Sequence, residues 1–154
     1  MVFRSKVDQF FINIICISII ITGIAILWPI LFDPEMTDGI LLMLLSIFIV
    51  TTGFIVWVSF DIKYTMFEDY LLVKAGPVRS KISYEEITLI TTTKDIFTGY
   101  RLLSSRDALE VFYKSGWMGS VKISPEDKQS FISEIKKRSP DVKVNISDGY
   151  NRRD

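Results

Sequence analysis

Histidine is absent from this chain, and its one cysteine, Cys16, lies inside a long apolar run. That composition removes the commonest general base, the usual nucleophilic triads, the commonest zinc ligand and any paired-thiol site. Carboxylates, lysines and serines remain. Glu68-Asp69 and Glu85-Glu86 are sequence neighbours, whose side chains point to different sides of a strand or helix, so neither pair is preset as an acid and base couple. An enzyme would need carboxylate or Lys/Ser chemistry in a barrel cleft, with Glu85, Glu86 and Asp107 as the carboxylates to mutate together. Asp33, Glu35 and Asp38 lack EF-hand spacing and offer too few oxygens for calcium. No phosphate-cradling glycine motif occurs, and Asn145-Ile-Ser147 is only a formal glycosylation sequon. The chain is therefore expected to be no enzyme and to hold no metal or cofactor.

Three groups of residues could instead carry binding. Gly116-Trp117-Met118-Gly119, flanked by Lys114 and Lys122, reads as a hairpin tip with two large apolar side chains and nearby cations, suited to a membrane interface or a protein partner. Arg79 and Lys81, after the Gly76-Pro77 break, could meet anionic headgroups at about 1 kcal/mol per cation. Lys136-Lys-Arg138 and Arg152-Arg153 make a third group, for which opposition to a helix dipole and solvation of the tail are sufficient reasons.

Position along the chain decides where such residues can act. Phe10 to Phe32 and Gly39 to Phe60 contain no charged residue and are parted only by Asp33-Pro-Glu-Met-Thr-Asp38. A bilayer core about 30 Å thick takes about 20 apolar residues as helix, and both runs meet that length. Each must satisfy its own amides, so residues 1–60 are predicted to form a two-helix transmembrane hairpin. The first run is too long for a signal peptide and lacks a small-x-small cleavage site before Asp33. Arg4 and Lys6 precede the first span, the intervening loop holds acids without Lys or Arg, and Lys63 and Lys74 follow the second. Both termini should then be cytoplasmic. Inside the spans, Asn13, Ser18, Thr22, Thr51-Thr52, Gly23 and Gly53 suit helix packing, and without an ionisable side chain there is no ion or proton pathway.

The formal net charge of zero, from 18 basic and 18 acidic residues, conceals two unlike parts. Nearly all charges lie in residues 61–154 and are close to balance, so nucleic acid is an unfavoured partner. From Asp61 the hydrophobic period becomes two. Ile62, Tyr64 and Met66, a Glu68-Asp69 turn, then Leu71 and Val73 predict a first hairpin that ends at Gly76-Pro77. Lys81 to Ser83 is a short segment, Tyr84 to Ile87 suits one helical turn, and Ile87 to Thr93 is a β-branched strand. Residues 97–103 give no clear pattern. Asp107 to Tyr113 and Val121 to Ile123 read as strands joined at Ser115 to Gly119. A final helix is expected with Ser124 as N-cap, Pro125 at its first position and Asp127 in a capping box. Phe131, Ile132 and Ile135 form its apolar stripe, and Pro140 stops it. The tail, 141–154, is either an added edge strand or disordered.

The reading so far is a mainly β, α+β domain over 61–140: a small barrel or sandwich capped by one C-terminal helix. Residues 61–140 also resemble the bacterial pleckstrin-homology-like (PH-like) domains of the YyaB-like type. The resemblance rests on Ile62 to Met66 with Tyr70 to Gly76, Tyr84-Glu-Glu-Ile87, Ser105-Arg-Asp-Ala-Leu-Glu-Val111 and, most specifically, Ile123-Ser-Pro-Glu-Asp127 leading into Phe131-Ile-Ser-Glu-Ile135. It implies seven strands and one helix and no particular activity. Eukaryotic lipid-binding PH domains use a basic first hairpin, whereas Phe67-Glu-Asp-Tyr70 is acidic, so no inositol-lipid site is carried over. The expected function is a non-catalytic binding or scaffolding module at the inner face of a bacterial membrane. Its partners would be the bilayer and another membrane or cytoplasmic protein. The alternative is self-protection against a membrane-active bacteriocin or toxin, because some immunity proteins are similar in plan.

Overall fold

The computed structural model describes residues 1–32, 37–115 and 118–146. The chain opens with a short strand, β1 (Val2–Arg4), and continues through two long helices, α1 (Gln9–Phe32) and α2 (Asp38–Phe60). Asp8 caps α1 by accepting the Phe11 N–H at 2.8 Å, and Thr37 caps α2 through Ile40. The helices run antiparallel, with Phe11 near Phe60 at one end and the Phe48 ring 3.3 Å from where a Cβ on Gly23 would stand. A glycine there lets the axes approach closely. Gln9–Ile30 and Asp38–Phe60 are each long and apolar enough to cross a membrane.

Beyond α2 come β2 (Ile62–Met66), β3 (Tyr70–Ala75) and β4 (Val78–Ser83), then a 3-10 turn and β5 (Ile87–Thr93). They are followed by β6 (Arg101–Leu102), β7 (Ala108–Tyr113), β8 (Ser120–Ile123), α3 (Lys128–Arg138) and β9 (Lys143–Asn145). One sheet has the order β1-β2-β3-β4 and the other β6-β8-β7-β5-β9. The two share one core, built from alternate residues such as Tyr64, Leu71, Val73, Ile82, Leu109 and Val121, and closed by Phe131 and Ile135 of α3. They do not close into a barrel, so the sheet-on-sheet alternative describes the domain.

Three details depart from the sequence-based expectation. First, the described residues within 61–140 supply the seven strands expected, β2 to β8, and two more lie outside those bounds: β1 pairs with β2, and β9 pairs in parallel with β5. The tail thus supplies an edge strand as far as Asn145, and residues 147–154 lie outside the described set. Second, α3 is capped by Asp127, whose carboxylate accepts the Ser130 N–H at 2.9 Å, and not by Ser124. Ser124 is fully buried, with its hydroxyl 2.9 Å from that of Ser5, so it is not free to cap. Third, β1 ties the segment before α1 into the domain.

That tie is built from small polar side chains. The Tyr64 hydroxyl lies 2.7 Å from the Leu102 carbonyl oxygen and 3.0 Å from Ser5 Oγ, and accepts the Ser124 N–H at 3.0 Å. Ser104 donates to Ser5 at 2.7 Å. Burial pushes the Tyr64 phenol above its ordinary pKa. Every buried polar atom in this knot has a partner, which is the condition for placing hydroxyls in a core.

Candidate functional site

The start of α1 and the end of α2 both sit on one end of the domain. On the α1 side, Asp8 accepts the Arg106 N–H at 2.8 Å and the Ser105 hydroxyl at 3.2 Å. Burial works to raise the Asp8 pKa, but these backbone and hydroxyl bonds outweigh it and the net shift is downward. On the α2 side, the Gly76 N–H donates to the Asp61 carbonyl oxygen at 3.1 Å. The β3–β4 turn is thereby pressed against the last turn of α2.

At this end the outer face of the first sheet carries a row of cations. Strand alternation turns Ile62, Tyr64, Val73 and Ala75 inward, which leaves Lys63 and Lys74 outward. Register then sets Arg4 opposite Lys63, Lys63 opposite Lys74, and Lys74 opposite Arg79. Directly opposed side chains on one face are about 4.5–5.5 Å apart at Cβ, where like charges destabilise the sheet. Asp61 relieves part of this, with Lys63 at 2.7 Å and Lys74 at 3.1 Å. The hydrogen bonds from Lys63 and then Lys74 hold the Asp61 carboxyl below its ordinary pKa. Arg4 and Arg79 have no ion-pair partner among the described residues. The row holds four cations and one carboxylate, level with the end of α2.

Of the residues singled out from sequence, Arg79 belongs to this row and Lys81 to the next, where its ammonium lies 4.0 Å over the Tyr70 ring. Lys122 does not present a free cation. It is 4% exposed, bonded to Asp95 at 3.0 Å and Thr98 at 3.3 Å, because residue 122 of β8 turns toward the 95–98 loop. Lys114 and Met118 are exposed, Met118 at 62%, while Trp117 lies outside the described residues. They occupy the β7–β8 turn. Since β7 starts beside Asp107, which pairs with Lys6 close to α1, and rises about 3.3 Å per residue, the turn lies at the other end of the strand, roughly 17 Å along it. Lys114 and Met118 therefore face away from the helix-bearing end. Lys137 and Arg138 both engage Glu134, whose pKa is drawn down to about 2 by the bond from Lys137 and then that from Arg138.

The same separation bears on the carboxylates. Asp107 pairs with Lys6 and Lys128 at the helix-bearing end, whereas Glu86 accepts from Ser115 at 2.5 Å at the opposite one. Glu85, Glu86 and Asp107 do not converge. Arg4, Lys63 and Lys74 were not recognised as a site in the sequence, although their spacing of two from inward residues was a usable signal once strand register was known. Arg101 was missed because residues 97–103 show no period. It borders a cavity of about 340 Å³ between the helices and the open end of the two sheets.

Two helices able to cross a membrane, followed by two sheets and a capping C-terminal helix, define a PH-like domain on a helical hairpin. Residues 62–139 match the bacterial PH domain family, and the chain belongs to it. Across nearly its full length it is also similar to the uncharacterized protein YyaB of Bacillus subtilis (strain 168), with 31% identity over 143 residues. The match covers 92% of this chain and 95% of that protein.

Proposed function

We propose that this protein is a non-catalytic PH-like module, held at the cytoplasmic face of a bacterial membrane by its helical hairpin, whose basic row rests among anionic headgroups. The row is the observation that carries this reading. Four like charges in register cost the sheet stability, and the cost is offset when an anionic surface lies beside them, at about 1 kcal/mol per cation. Its level at the end of α2 is headgroup depth if α2 spans the bilayer. The anchor itself is supported by Ile20, Ile49 and Val50, which are 60%, 68% and 70% exposed and would be unfavourable in water. Cations on the domain side also favour retention of that side in the cytoplasm. With one face committed to lipid, the remote β7–β8 turn with Lys114 and Met118 is left to a protein partner.

Amine acylation of the full chain in nanodiscs tests this. Lys63 and Lys74 are expected to react several-fold more slowly in phosphatidylglycerol than in phosphatidylcholine discs. The difference should fade at high salt, as screening requires. Equal reactivity in the two lipids would remove headgroup contact from the function.

A further inference from the structure

The cavity at the junction of hairpin and domain has walls from four elements. Phe11 and Ile14 come from α1, Val58 from α2, Ala75 from β3, and Phe97 from the loop before β6. The lining is apolar, and its size is that of a small-ligand pocket. Phe97 is 64% exposed, and its ring meets Phe10, at the start of α1, edge-on at 6.3 Å.

One cation stands at this apolar space. Arg101 donates through one terminal nitrogen to the carbonyl oxygens of Ile96 at 3.1 Å and Phe97 at 2.5 Å, which fixes the guanidinium in place. No carboxylate pairs with it among the described residues, and its remaining nitrogens have no acceptor there. A held, uncompensated guanidinium suits the bidentate binding of a phosphate. A free anion would satisfy Arg101 and leave the apolar wall without an occupant. A neutral apolar chain would fill the wall and make no use of the charge, which at this exposed residue would be left to water.

We infer that this cavity takes one acyl chain of an anionic phospholipid from the inner leaflet, with the lipid phosphate on Arg101. The inference rests on the membrane-embedded reading of the hairpin and adds a discrete site to it. The basic row would respond to the charge of the surface as a whole, whereas the cavity would hold a single molecule.

The test uses the full chain in phosphatidylcholine nanodiscs doped with phosphatidylglycerol that carries a photoreactive acyl chain, beside discs doped with an equally tagged phosphatidylcholine. After irradiation, peptides containing Ala75 and Phe97 are expected to be labelled several-fold more by the anionic probe, because the quaternary ammonium of phosphatidylcholine offsets the charge of the phosphate that both lipids carry. Arg101→Gln should bring labelling by the two probes to the same level. Ala75→Leu, which fills the cavity and keeps the charge, should lower labelling by both probes. Equal labelling by the two probes, or unaltered labelling in Arg101→Gln, would overturn the site. Absence of any label on α1 and α2, with release of the protein from membranes by alkaline carbonate, would instead overturn the anchoring and the site with it.

Discussion

Gly76 lies against Val58: at its φ of +53°, an added Cβ would stand 3.0 Å from Val58 Cγ2 and 3.1 Å from Val58 Cα. One obstacle is helix backbone, which cannot rotate away. Gly76→Ala is expected to destabilise the purified protein by about 1–3 kcal/mol, the range for a strained backbone position. Gly99, at φ +76° with open space around it, separates the two effects. Gly99→Ala carries the conformational cost alone, so its melting temperature should fall less than that of Gly76→Ala.

Tyr64 is the centre of the hydroxyl knot that joins β1, β2 and the β6 and β8 regions. Tyr64→Phe removes one oxygen and leaves the buried Ser124 N–H and Leu102 carbonyl short of a partner. Leaving such groups unsatisfied costs about 1–3 kcal/mol each. A chemical denaturation midpoint should fall accordingly, and an unchanged midpoint would mean that water enters the knot.

Removing the two partners of the Lys122 to Asp95 pair should have unequal effects. Thr98 and then Lys122 hold the Asp95 carboxyl below its ordinary range by hydrogen bonding. Asp95→Ala leaves a buried ammonium without its counterion, the costly way to break such a pair, whereas Lys122→Met takes the charge away and keeps the aliphatic stem. Thermal unfolding is expected to rank Asp95→Ala as the less stable variant.

Acid should act through Asp107. Burial raises its pKa, but the bond and charge of Lys128 and then of Lys6 more than reverse this, so the folded value lies below the ordinary 3.8. A depressed carboxyl pKa contributes stability that is full above the ordinary value and is lost as the pH falls through the folded one. Stability measured downward from pH 4 should therefore decline more steeply in the natural chain than in Asp107→Asn.

Asp61 tempers the basic row, so Asp61→Asn should strengthen its response to lipid. In phosphatidylglycerol nanodiscs, Lys63 and Lys74 are expected to be better protected from acylation in Asp61→Asn, and more salt should be needed to expose them. Weaker protection would mean that Asp61 positions the two lysines more than it neutralises them.

The local periodicities carried much of this fold into view. Ile62-Tyr64-Met66 and Leu71-Val73 are the inner faces of β2 and β3, and Phe131, Ile132 and Ile135 are the buried stripe of α3. What stayed hidden depended on pairing at long range. Nothing in Val2-Phe3-Arg4 announces a strand until Thr65, Tyr64 and Lys63 lie beside it. Ser124 has the side chain of an N-cap, and only the approach of Ser5 and Ser104 diverts it. The basic row was illegible for the same reason: its members are scattered over residues 4 to 79 and become neighbours through register alone. Lys122 looked like a surface cation because the residues that bury it come from an aperiodic loop.

The pairing of β1 with β2 makes the helices an insertion within a sheet, flanked on both sides by strands of the same domain. During synthesis, Val2–Arg4 must wait until both helices and the start of β2 have been made before finding a partner, a closure that is slow for its length. The edge of β2 stays open in the meantime, which is an invitation to pair wrongly. Cutting the chain at Asp61 to obtain a soluble domain would make that condition permanent. Residues 1–8 joined to residue 61 by a short flexible linker would restore the fourth strand, and that spliced boundary, not the end of α2, is where the domain should be excised.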